Sequence, residues 1–165
     1  MKNLIISDFD GVVSDSLEIA LSLTQNIVEL FNGNEEVKTF ADYYKLFGRQ
    51  SEHKTVTTEE SKTIRELHRI LIRCNSDKIN LFKSVAETYS KLRTKLLIVS
   101  SSYLDVIRKV LGKYENDFKF IYGYESGHKK IIFEKLVEQY DFTYVTDTLR
   151  DIEICNEFKV PVIAT

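Results

Sequence analysis

Four aspartates and a lysine stand at spacings that suit chemistry on a charged oxygen compound. Asp8 and Asp10 lie two residues apart in the segment DFDGVVSDS, directly after the apolar run 4–7. Two carboxylates so placed can share a hard cation, which takes oxygen ligands. Gly11 then lets the backbone turn sharply and approach a ligand. A second acidic pair, Asp147 and Asp151, sits in TDTLRD after the apolar run 142–145. Asp147 can face the same cation, and Asp151 can hold a neighbouring group or a metal-bound water. Plainer uses compete with these. The first pair could close a strand with an Asx turn, and Asp147 could cap a helix with Asp151 in its first turn.

Two further segments have the right character. Ser100, Ser101 and Ser102 follow the apolar run 95–99. A hydroxyl there, with the amides of the following helix start, can bind phosphate oxygens, although an ordinary serine cap would look the same. The segment GHKK places Lys129 and Lys130 at a helix start, where the macrodipole disfavours a cation. Neutralising acidic groups and phosphate would explain them; solvated surface lysines are the alternative. His53, His68 and His128 show no metal-ligand spacing, and His68 reads as a packing residue beside the apolar face of its helix.

The elements that must position these residues read as a doubly wound sheet. Five short apolar runs, 4–7, 95–100, 118–122, 142–146 and 160–165, are mostly continuous rather than alternating, as parallel strands covered on both faces require. Helical periodicity separates the last four, over 103–111, 130–140 and 149–158. Ligands bind beyond the carboxyl ends of such strands, where each candidate segment falls. The long stretch after the first strand is mostly helical. It reads as helices from about residue 16 to Phe31, over 39–47 and over 58–74, and then a helix over 77–92 that feeds the second strand. Ile64, Leu67, Ile70, Leu71 and Cys74 mark the apolar face of the third of these. The expected organisation is an α/β core of residues 1–14 and 79–165 interrupted by a helical insertion, 15–78.

Composition narrows the function classes. With 165 residues, 43% hydrophobic and 29% charged, the chain suits one compact domain with a small insertion. A net charge of -2 offers no general attraction to nucleic acid or an anionic membrane surface. Neither a membrane span nor a secretory leader is evident, so the expectation is a cytoplasmic protein, monomeric or weakly dimeric. Cys74 and Cys155 make no disulfide framework and are expected to be buried thiols.

Taken in order, DFDGV, IVSSS, a lysine before a helix, VTDTLRD and a closing Val-Pro-Val strand, the segments resemble the haloacid dehalogenase (HAD) superfamily. The resemblance implies a doubly wound, Rossmann-like fold of about five strands with a small all-helical cap. It implies Asp8 as a nucleophile that forms an aspartyl-phosphate and Asp10 as general acid and base. It implies magnesium held by Asp8, Asp10 (through its carbonyl), Asp147 and Asp151. Gly11, Ser100 and Ser101 would contact the phosphate, and a lysine would keep Asp8 ionised. Lys129 fits that role better than Lys130, because Ile132, Phe133, Leu136 and Val137 follow it at three, four, seven and eight positions. Arg49, in LFGRQSEHK, resembles a substrate-contacting arginine of the cap. Thr146 departs from the pattern, since many relatives carry glycine there. The implied function is a magnesium-dependent phosphatase acting on a small phosphorylated metabolite. A phosphomutase of the β-phosphoglucomutase type and a catalytically silent binding protein are the alternatives.

Overall fold

The computed structural model describes residues 4–30, 58–92 and 95–165. Arg49, the segment 46–54 and the helix expected over 39–47 lie outside the described residues. In chain order the elements are β1 (Leu4–Ser7), β2 (Ser14–Asp15), α1 (Leu17–Leu30), α2 (Thr58–Cys74), β3 (Asn80–Leu81), α3 (Lys83–Lys91), β4 (Lys95–Val99), α4 (Leu104–Leu111), β5 (Phe118–Tyr122), α5 (Lys129–Val137), β6 (Phe142–Thr146), α6 (Leu149–Phe158) and β7 (Val162–Ala164). They cluster into two compact units, Met1–Asp15 with Ile79–Thr165, and Ser16–Lys78.

The first unit is built on one parallel sheet in the order β5-β4-β1-β6-β7. Its strands are apolar along their length because each face has its own cover. Leu4, Ile6, Leu97, Val99, Phe142 and Tyr144 pack on one side with Ile132, Phe133 and Leu136 of α5 and Ile154 and Cys155 of α6. Leu96, Ile98 and Val145 point the other way, with Tyr89 of α3 and Ile107 and Leu111 of α4. Alternate strand residues thus serve opposite cores, which is the requirement that removes polar residues from parallel strands.

The chain starts in the middle of this sheet. From β1 it moves outward through β4 and β5, then returns to the other flank of β1 for β6 and β7. The reversal leaves a crevice beyond the carboxyl end of β1, the place where such sheets bind ligands. Asp8 follows β1 there, its amide donating to Val145 O at 2.8 Å. The last strand is shorter than expected, beginning at Val162. Pro161 has no N–H to give the ladder, although its carbonyl accepts from Tyr144 N at 2.9 Å.

The expectation of one helix over 77–92 is corrected. A 3₁₀ turn at Ser76–Lys78 leads to β3, and only Lys83–Lys91 is helical. A small antiparallel sheet intervenes, pairing Ser14 with Leu81 and Asp15 with Asn80. Phe82 N donates to Val13 O at 2.9 Å. These long-range backbone bonds capture a stretch whose local pattern is compatible with helix.

In the second unit α1 pairs with α2. Among the described side chains of α2, the buried ones are Ile64, His68 and Ile72, one per turn. This corrects the expected face, since Ile70 and Cys74 are exposed. His68 shares the buried face, its Nε2 3.3 Å from Ala20 O. Cys155, by contrast, is buried as expected. No helix among the described residues is long and apolar enough to cross a membrane.

Candidate active site

Asp8 and Asp10 enter the crevice from the turn after β1. Gly11 shapes that turn with φ 73°, and its amide donates to Ser14 O at 3.0 Å. A side chain at this φ would be strained. Asp8 is buried, with Oδ1 accepting from Phe9 N at 2.7 Å. A second tie fixes its main chain: Ser7 Oγ donates to Asp8 O at 2.7 Å and lies 3.2 Å from Tyr89 OH.

Of the two adjacent lysines, Lys129 reaches Asp8. Its Nζ donates to Asp8 Oδ2 at 2.7 Å and to Asp151 Oδ2 at 2.6 Å. Lys130 is exposed and pairs with Glu157. Helical geometry separates them. Ile132, Phe133 and Leu136 fix the face of α5 that meets the sheet, Lys129 stands one turn before them on that face, and Lys130 is rotated away from it.

Asp151 sits in the first turn of α6. Its Oδ2 accepts from Lys129, from Thr146 Oγ1 at 3.2 Å and, at 3.1 Å, faces Tyr144 OH. Of the two roles expected for this carboxylate, holding a neighbouring group is the one that these contacts show, since its Oδ2 seats the lysine. The cap of α6 is Thr148, whose Oγ1 accepts from Asp151 N, rather than Asp147. Asp147 lies in the loop between β6 and α6, partly buried, with its Oδ1 inside the protein.

Burial and charge pull against one another in this cluster. Burial pushes the Asp8 carboxyl well up, Lys129 opposes that push, and Asp151 adds to it. Burial acts the same way on Asp151, but there Lys129 prevails and holds the carboxyl below its ordinary range. Burial also disfavours the Lys129 ammonium, yet the two carboxylates outweigh it and raise its pKa. Two carboxyls share one ammonium: Asp151 is the one held ionised, and Asp8 is the one pushed toward its neutral form.

Asp10 is held differently. Its Oδ2 accepts from Ser102 Oγ at 2.6 Å and, more weakly, from Ser100 Oγ at 3.4 Å. Ser100 is buried and its Oγ accepts from Ser102 N at 3.0 Å, while Ser101 is exposed. The expectation that the amides at the helix start serve a phosphate is corrected for Leu104. That amide donates to Glu125, at 3.0 Å to Oε2 and 3.3 Å to Oε1, which satisfies the terminus internally.

Three residues of the site were not foreseen as site residues: Tyr144, Thr146 in its contact with Asp151, and Ser102 in its contact with Asp10. Tyr144 is fully buried, accepts from Lys129 Nζ at 3.2 Å and lies 3.1 Å from Val99 O. Its single proton serves either that carbonyl or Asp151. Burial, followed by Asp8 and Asp151, raises its pKa well above the ordinary value, so it stays neutral. A tyrosine in the middle of a strand expected to be covered on both faces was the available signal, because a buried phenol needs a polar partner.

Among the described residues no three His, Cys, Asp or Glu side chains gather into a ready metal cluster. A site contributed jointly by loops after β1 and β6, with a lysine seated on the nucleophile candidate, is the arrangement that known proteins clarify. The model of the haloacid dehalogenase-like hydrolase family matches residues 5–165. The chain belongs to that family. Solved structures share its fold at low sequence identity. A phosphoglycolate phosphatase candidate from Lactobacillus plantarum superposes with a TM-score of 0.79 at 13% identity, over 98% of this chain and 86% of that one. A hydrolase from Pseudomonas syringae gives 0.77 at 16%, over 99% and 84%. CbbY from Rhodobacter sphaeroides, in complex with phosphate, gives 0.71 at 10%, over 100% and 86%. No curated protein matches the sequence. The family makes this haloacid dehalogenase-like chain a hydrolase.

Proposed function

We propose that this hydrolase is a magnesium-dependent phosphatase of small organic phosphate monoesters, working through an aspartyl-phosphate on Asp8. The observation that carries the reading is the Lys129 bridge between Asp8 and Asp151 at the crevice beyond β1. It steers Asp8 by fixing Oδ2, and it places a cation where charge on a phosphoryl group needs one.

The steps follow from this chain's residues. A carboxylate oxygen of Asp8 attacks phosphorus, and the bond to the leaving oxygen breaks as Asp10 gives that oxygen a proton. Asp10 then takes a proton from water as the water oxygen attacks phosphorus. The Asp8–phosphorus bond breaks, freeing phosphate and restoring the carboxylate. Ser100 holds a phosphoryl oxygen through its hydroxyl, and Gly11 and Ser101 line the same pocket.

The donor set suits magnesium. It consists of oxygens alone: the Asp8 and Asp147 carboxylates and the Asp10 carbonyl. Magnesium commonly takes one or two carboxylates and completes its shell with water and substrate phosphate, so a cluster of three acidic side chains is not required. When bound, the ion would offset charge on the phosphoryl oxygens.

A screen of phosphorylated metabolites with magnesium, following released phosphate, tests the reading, with Asp8→Asn run in parallel. Release from a small set of substrates is expected, lost both in that variant and in chelator. Undiminished release by a well-folded Asp8→Asn protein would overturn the covalent mechanism. Full activity in chelator would remove Asp8, Asp10 and Asp147 from the metal role together. Phosphate moving between positions of one sugar, without release, would place the protein among mutases.

A further inference from the structure

We propose that Ser102 is the positioning residue for Asp10, braced from behind by the Gly123–Glu125 turn; the proposal rests on the acid-base role given to Asp10 above. The Ser102 hydroxyl makes the shortest bond that the Asp10 carboxylate receives from either serine, 2.6 Å against 3.4 Å from Ser100. Ser100 has one proton to donate. Once it turns to a phosphoryl oxygen, Ser102 alone of the two still grips Asp10 Oδ2. A carboxylate fixed at one oxygen keeps its orientation through both proton transfers, and small losses of orientation are costly to a group that must reach a specific atom.

Ser102 is itself held on two sides. Its amide donates to Ser100 Oγ at 3.0 Å, and its carbonyl accepts from Tyr124 N at 2.8 Å. Two residues on, Glu125 takes the Leu104 amide, and the Tyr103 and Tyr124 rings meet edge to face at 5.2 Å. Gly123 stands at the crossing of the two loops. A Cβ there would lie 2.9 Å from both Ser102 O and Leu104 N, so only glycine lets the backbones approach this closely. The turn after β5 thus connects through Ser102 to Asp10, along a path separate from the lysine that holds Asp8.

A double-mutant cycle decides the matter, because coupled residues fail to add. Ser102→Ala is measured alone and in an Asp10→Asn background, with Ser102→Thr as the conservative variant. The substrate is an alkyl phosphate whose leaving oxygen requires protonation. Expected is a loss of about tenfold or more in kcat for Ser102→Ala, the scale of a hydrogen bond to a charged group, with KM within about twofold. Ser102→Thr should restore most of it, and Ser102→Ala should cost nothing further once Asp10 is Asn. An equal loss in both backgrounds, a loss confined to KM, or no rescue by threonine would overturn the proposal. The parent reading fails separately: it is Asp10→Asn alone that would then turn over at the wild-type rate.

Discussion

Asp8 is held by charge and Asp10 by hydroxyls, although only Phe9 separates them. Asp8 is buried against an ammonium that also serves Asp151, with Tyr144 and Thr146 closing the ring from behind. Asp10 is partly exposed and rests on two serines. The contrast fits the two tasks proposed. An attacking carboxylate gains from a fixed, water-poor setting, since preorganised charge acts strongly where dielectric is low. A group that must give and take a proton gains from partners that fix where its oxygens point. The difference also predicts that one cluster is a structural element and the other is not.

The largest test of that division removes the shared ammonium. Lys129→Ala should abolish turnover and also destabilise the fold by about 3–5 kcal/mol, because it strands two buried carboxylates. Asp10→Asn should lower kcat by about 10²–10⁴. Its unfolding free energy should stay within about 0.5 kcal/mol of wild type, as for a substitution away from the core. Urea unfolding beside steady-state kinetics reads both, and comparable stability losses in the two variants would erase the distinction.

Tyr144→Phe probes the same cluster more gently. It keeps the ring packed against Phe133, whose centroid lies 4.8 Å away, and deletes only the hydroxyl. The expected cost is about 1–3 kcal/mol in stability, the range for leaving a buried partner unsatisfied, with a several-fold fall in kcat. Unchanged stability would show that the phenol is a bystander to the lysine.

The smallest effect is a reporter. Burial pushes the Cys155 thiol up to about 12, Asp151 adds to the shift and Lys129 opposes it. The native protein at pH 8 should therefore expose one reactive thiol, Cys74, to a disulfide reagent. Losing Lys129 removes the charge that lowers the Cys155 thiol, so a gain in Cys155 reactivity in Lys129→Ala would report loosening of the cluster rather than a more acidic thiol, with Cys74 as the internal standard. Two fast thiols in the wild type would mean the cluster is more open than its packing implies.

Sequence alone spells out the sheet, because parallel strands covered on both faces leave continuous apolar runs, as over 4–6 and 96–99. It also placed Asp8, Asp10, Asp147 and Asp151 at strand ends, and it separated Lys129 from Lys130 through the apolar positions that follow on one helix face. Such features are local, written by spacing along a single element. Tertiary structure alone decided that Asp151 seats the lysine, that Ser102 grips Asp10, that Glu125 fills the helix start at Leu104, and that β3 interrupts an expected helix. Each of these depends on a partner far away in sequence. Whether a carboxylate meets a cation, a hydroxyl or an amide is fixed by how loops from different strands converge on the crevice, and no local periodicity encodes that convergence.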